Sequence, residues 1–231
     1  MEMSEHNAEC LREDEEFILC RRPASQEESP TVLQLMPAAI RPALESLHKI
    51  EHEYSLREHL DTAWAVRPLT VSERNGQKTL VFEDPGGEPL HRFIQGPMDI
   101  RQFLQIAIGL AKALGALHKK ELIHKDVKPT NVLVNPATGE VRLMGFGIAS
   151  RLPRERQAPE PPEFIAGTLA YMAPEQTGRM NRSIDSRSDL YALGVTLYEM
   201  LTGTLPFFST DPMELVHCHI ARQPIPPSVR L

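Results

Sequence analysis

The stretch "LIHKDVKPTNVLV", Leu122 to Val134, constrains this chain more than any other. His124, Asp126 and Asn131 stand at the spacing H-x-D-x-x-x-x-N. An aspartate at the tip of a loop can take the proton of an attacking hydroxyl. An asparagine five residues on returns to the same place and can hold a Mg²⁺ bound to nucleotide phosphates. The next residues supply one anchor for such a loop, because "NVLV" and "EVRLM" read as a hairpin around "NPATGE".

The rest of the chain divides at "EDPGGEPL" (83–90), which carries the turn residues of a hinge. Residues 1–16 are acidic and are expected to form a flexible, solvated tail. Residues 17–85 read as a small lobe of strand, strand, helix and hairpin. "EFILC" and "TVLQLM" are the strands, and Leu47, Ile50 and Tyr54 recur at helical spacing between Ala43 and His59. Asn75-Gly76 joins "VRPLTV" to "KTLVFE" in the manner of a tight hairpin.

Residues 86–231 read as a helical lobe. Phe103, Ala107, Leu110, Leu114 and Leu117 share one helix face. "SDLYALGVTLYEMLTG" is apolar nearly all round, which predicts a buried central helix stopping at Gly203. "DPMELVHCHIAR" opens with an Asp cap, and "PRERQAPEPPEF" (153–164) reads as a loop.

The chain of 231 residues suits one large domain or two small lobes. A formal net charge of -6 argues against a general nucleic-acid binder. Cys10, Cys20 and Cys218 lie far apart, so neither a disulfide framework nor a zinc site is expected. The N-terminus has no signal-peptide pattern, and no apolar stretch reads as a bilayer span. The expected location is cytoplasmic, without membrane insertion.

Further motifs follow the loop: Gly145-Phe146-Gly147, then "GTLAYMAPE" (167–175), then "SDLYALGVTLYEMLTGTLPF". With these, the chain resembles the eukaryotic-type Ser/Thr protein kinase family from about Phe17 to Leu231. Lys128-Pro129 is similar to the Ser/Thr branch. "GTLAYMAPEQTGRMNRSIDSRSDLYALGVTLYEMLTGTLPF" also resembles the kinase-like domain at the front of large bacterial hybrid sensor histidine kinases. The resemblance implies a two-lobed α+β protein-kinase-like fold, with a β-rich N-lobe and a helical C-lobe truncated after the helix resembling helix G.

It also implies roles. Asp126 would be the catalytic base, Lys128 the cation beside the transferring phosphate, and Asn131 a metal ligand. Thr168 would brace the catalytic loop, Glu175 would anchor the activation segment by an ion pair, and Asp189 would hold the loop backbone. His124 would be structural, packing under the loop. Glu53 would be the helix-C glutamate, and the Glu83-Asp84 backbone the adenine hinge.

Several positions depart from the family. Gly145 replaces the aspartate that is the principal Mg²⁺ ligand. In Val32-Leu33-Gln34-Leu35, Gln34 is taken to replace the lysine that pairs with Glu53. "LCRRPASQEESP", read as the nucleotide-covering loop, has no glycine. The pair Gln34→Lys and Gly145→Asp is expected to repair the site. ATP and Mg²⁺ binding is therefore expected to be weak. The favoured reading is a pseudokinase acting as a regulatory module in bacterial signalling. Its expected partner is a protein substrate, a regulatory protein, or further domains of a longer hybrid histidine kinase. The alternatives are an active Ser/Thr kinase using Asp126, and a small-molecule kinase, against which the A-P-E segment and Lys128-Pro129 count.

Overall fold

In the strand Thr31–Pro37 every second residue from Leu33, through Leu35 to Pro37, is buried, and this alternation gives the first sheet its inner face. The computed structural model describes residues 8–23, 31–74, 77–151 and 167–230. Strands β1 (Glu9–Glu13), β2 (Phe17–Pro23), β3 (Thr31–Pro37), β4 (Pro68–Arg74) and β5 (Gln77–Glu83) form an antiparallel sheet in the order β1-β2-β3-β5-β4. Helix α1 (Leu44–Ser55) turns Ser46, Ile50 and Glu53 inward. The Asn75-Gly76 turn and the loop 153–164 lie outside the described residues.

The acidic segment corrects one expectation. Glu9–Glu13 is not a flexible tail but the first strand of the sheet. Its pairing with β2 slips between Cys10 and Arg12, leaving Leu11 as an extra residue. Such a bulge breaks the two-residue alternation, so Leu11 and Arg12, although adjacent, are both buried, at 1% and 7% exposure.

After β5 the chain crosses through the short strand β6 (Glu88–Pro89) into α2 (Ile100–Lys119). Asp99 caps α2 by accepting the N–H groups of Arg101 and Gln102. The hairpin of β7 (Val132–Val134) and β8 (Val141–Leu143) follows, with β6 paired to β7. Then come α3 (Ser186–Thr202), α4 (Pro212–Ala221) and the one-turn α5 (Pro227–Arg230). Gly203 ends α3 at φ +70.

Helix α2 is 20 residues long and, by length and composition alone, apolar enough to cross a bilayer, which the sequence reading did not expect. Its buried Ile106, Leu110, Leu114 and Leu117 belong to the C-lobe core with Leu122, Phe146 and Met200. That stripe is what a core helix of a globular domain needs. The N-lobe core contains Leu11, Leu19, Leu33, Ile50 and Phe82, and it extends across the lobe boundary to Leu133 and Met144.

Candidate functional site

The loop between α2 and β7 is held from beneath by a carboxylate with no solvent exposure. Asp189, in the first turn of α3, accepts the N–H groups of His124 at 2.9 Å and Lys125 at 2.8 Å. It also lies 2.8 Å from Nε2 of His118, a partner the sequence reading missed. Lys125 has φ +69, a left-handed backbone disfavoured for a residue with a β-carbon, and the bond to Asp189 holds its N–H there. His124 is fully buried, its Nε2 3.0 Å from the Met144 carbonyl and its Nδ1 accepting the Asp126 N–H. Burial holds its pKa below the ordinary histidine value, which favours the neutral ring.

Above this support the acceptor side of the site is assembled. One Asp126 carboxylate oxygen, Oδ2, lies 3.0 Å from Lys128 Nζ and accepts the Asn131 amide at 2.9 Å. The other, Oδ1, accepts the Thr168 N–H at 3.2 Å. Burial raises the Asp126 pKa, but the Lys128 charge and its hydrogen bond outweigh burial and hold the group below the usual carboxylate range. Lys128 also donates to Thr168 Oγ1 at 2.5 Å. Glu175 accepts the hydroxyl of the buried Ser188 at 2.6 Å.

The facing wall differs from the sequence reading in three ways. First, Gln34 does not face Glu53. In β3, Leu33 and Leu35 are buried at 0% and 4% exposure, whereas Gln34 between them is half-buried on the other face. Leu35, with Glu53, lines the cleft, so leucine rather than glutamine stands where the lysine was sought. Second, the turn joining β1 to β2, the acidic Asp14-Glu15-Glu16, lines the cleft; residues 24–30 of "LCRRPASQEESP" lie outside the described residues. Third, Arg12 from β1 enters the site. Its Nη1 donates to Asn131 Oδ1 at 2.7 Å and to the Thr130 carbonyl at 3.1 Å.

Glu53 is 2% exposed and accepts the Gly145 N–H at 2.9 Å. Burial drives its pKa up to about 7 against the opposing backbone hydrogen bonds of Phe146 and Gly145 and the charge of Arg12. Gly145 has φ +80, and a β-carbon there would lie 2.7 Å from the Asn131 side chain. Gly145→Asp is therefore strained by its backbone and would also require Asn131 to move, which corrects the expected repair along with the misplaced Gln34→Lys. Phe146 is buried beside His124 and Trp64.

A cavity of about 600 Å³ remains, lined by Arg12, Lys49, Glu53, Asp126, Lys128 and Thr168 among others. Glu83 and Asp84 do not line it. The Glu83 N–H donates to the Arg67 carbonyl at 3.2 Å, and the Asp84 carboxylate is taken by Arg21 at 2.7 Å and Thr31 at 2.7 Å.

A family model described as the protein kinase domain matches residues 37–227, well over half of the chain. The chain belongs to the protein kinase domain family. The serine/threonine-protein kinase PknB of Mycobacterium tuberculosis is 38% identical over 153 residues, covering 65% of this chain and 24% of that protein. A probable serine/threonine-protein kinase of Corynebacterium efficiens is 37% identical over 151 residues, covering 64% and 22%. A probable PknB of Bifidobacterium longum is 34% identical over 151 residues, covering 64% and 21%. The matched region thus spans about a quarter of the length of these relatives. Strands β1 and β2, and all of β3 except Pro37, lie before the residues matched by the family model.

This family uses ATP with Mg²⁺. The residues present do not fit the metal. Asn131 Oδ1, the expected ligand oxygen, is already bonded to a guanidinium, and Gly145 offers no carboxylate. Both Asp126 oxygens are engaged by Lys128, Asn131 and Thr168.

Proposed function

We propose that this domain is a catalytically weak or inactive member of its family, a protein-binding regulatory module that keeps the kinase fold. The observation that carries the reading is Leu35, the β3 side chain that lines the cleft beside Glu53. The working mechanism needs a lysine–glutamate ion pair and an aspartate on the metal, both in place. Loss of one preorganised charge typically costs roughly 10²–10³ in rate. The turn between β1 and β2 brings Asp14, Glu15 and Glu16 instead of open backbone N–H groups, and carboxylates repel phosphates. Leu11, Leu33, Phe82, Leu133 and Met144 form one buried cluster beside the hinge, which further disfavours a nucleotide base there. ATP and Mg²⁺ binding is weak on this reading.

A specific observation favours the alternative, an active Ser/Thr kinase: Asp126, Lys128 and Thr168 keep a complete acceptor arrangement. The setting in bacterial signalling beside further sensor-kinase domains, and a cytoplasmic location, belong to the proposal; the former rests on the resemblance of residues 167–207. Radiolabel transfer from ATP to a generic protein substrate tests the reading, with Asp126→Ala as control. Transfer at background in both supports it. Asp126-dependent transfer on the order of 1 per second would mean an active kinase.

A further inference from the structure

We infer that Arg12 is a built-in cation that takes the place of the divalent metal and clamps the two lobes together without nucleotide. Three observations converge on it. The guanidinium is 7% exposed and donates to Asn131 Oδ1 and the Thr130 carbonyl, 119 and 118 residues away in sequence, on the other lobe. A bulge at Leu11 lets Arg12 point inward alongside its neighbour, so the local fold is shaped for this aim. The turn that follows is also fastened: Glu16 accepts from Lys49 Nζ at 2.8 Å and from Ser46 Oγ at 2.9 Å, both on α1.

The β1–β2 hairpin therefore touches both the catalytic loop and α1. A guanidinium supplies one positive charge and directional donors, so it satisfies the asparagine oxygen that a metal would otherwise claim. A dication brought to the same oxygen would meet that charge at contact distance. Closure of the cleft and the inward position of Glu53 then need neither Mg²⁺ nor ATP. The inference rests on the non-catalytic reading of the cleft given above. Its decisive test contains no nucleotide, so phosphate transfer by the wild-type chain would sink that reading and leave the clamp to be judged separately.

The test is thermal unfolding of wild type, Arg12→Ala and the double variant Arg12→Ala/Asn131→Ala, each with EDTA, 10 mM Mg²⁺ or 10 mM methylguanidinium as probes at about these concentrations. The wild-type midpoint should be the same in all three. Arg12→Ala should fall by about 4–8 °C and recover part of that loss with methylguanidinium, which matches the lost side chain. The double variant, which lacks the oxygen, should not recover. An Arg12→Ala protein that is undiminished, or that falls without recovering, overturns the inference, as does a wild type stabilised by Mg²⁺. If Arg12→Ala does not fold, amide exchange of wild-type Met144 and Gly145 decides. Their N–H groups bond to the Asn131 carbonyl and to Glu53. Equal protection in EDTA and in Mg²⁺ upholds the clamp, and roughly tenfold stronger protection with Mg²⁺ overturns it.

Discussion

Glu53 lies at 2% exposure against the Gly145 N–H, with Leu35 on the same cavity wall, and its pKa of about 7 makes it a source of pH dependence. The sign follows from proton uptake. A carboxyl group whose folded pKa is raised binds more protons folded than unfolded. Its contribution is fully present below the unfolded value and is lost as pH rises through about 7. Urea unfolding should therefore give lower stability at pH 8 than at pH 5, by on the order of 3 kcal/mol for this group. Glu53→Gln should remove that slope, and a slope unchanged in the variant would mean another group titrates. Leu35→Lys should also flatten it, because an ammonium beside the carboxylate favours the ionised form. Gln34→Lys should leave it unaltered, since position 34 lies on the opposite face of β3. A reversed result for these two lysine variants would mean that position 34, not position 35, faces Glu53.

Helix α3 places two aspartates within its first turn and its cap, and they serve different elements. Asp185 caps the helix by accepting the Arg187 N–H at 2.9 Å, while Asp189 holds the catalytic loop. Asp185→Ala should cost about 1 kcal/mol, a lost cap. Asp189→Ala should cost roughly 2–4 kcal/mol, because two buried N–H groups lose their acceptor; denaturant midpoints separate the two, and equal costs would deny the loop-holding role. The same helix was legible in the sequence, as were α2 and α4, because apolar periodicity, Asp caps and a terminal glycine agree. The catalytic loop was legible for a similar reason: His124, Asp126 and Asn131 lie within eight residues. Strand β1 was not. "ECLRE" is mostly polar, and its bulge turns two adjacent side chains inward, which erases the alternation that marks a strand. In β3, "TVLQLM" is apolar on both faces, so its register could not be fixed without the partner strands. Arg12 meets Asn131 across 119 residues, a contact with no local signal.

At the scale of the molecule, the lobes share a core. Leu11, Leu33 and Phe82 of the first sheet are buried in one cluster with Leu133 of β7 and Met144 just after β8. Arg12 and Arg21 add polar ties at either end of that contact, Arg12 to the catalytic loop and Arg21 to Asp84, Glu88 and the Gly87 carbonyl. The Arg21–Asp84 pair is mostly buried, with side chains 17% and 2% exposed, so these ties act beside the apolar contact. A cavity left by Leu11→Ala should cost about 2–5 kcal/mol. The decisive quantity is the shape of the transition, not its midpoint. If the cluster joins the lobes, the N-lobe cannot unfold without exposing Leu133 and Met144, and the variant should still unfold in one step. Far-ultraviolet circular dichroism, which follows the α2 and α3 helices, and the fluorescence of Trp64, beside Phe146 in the C-lobe core, should then give coincident curves with hydrogen exchange of β2 and β3. An N-lobe transition that precedes the loss of helix in the wild type would show that the lobes are energetically separate. A split that appears only in Leu11→Ala would instead locate the coupling at this side chain, and Leu133→Ala should reproduce the split from the opposite lobe.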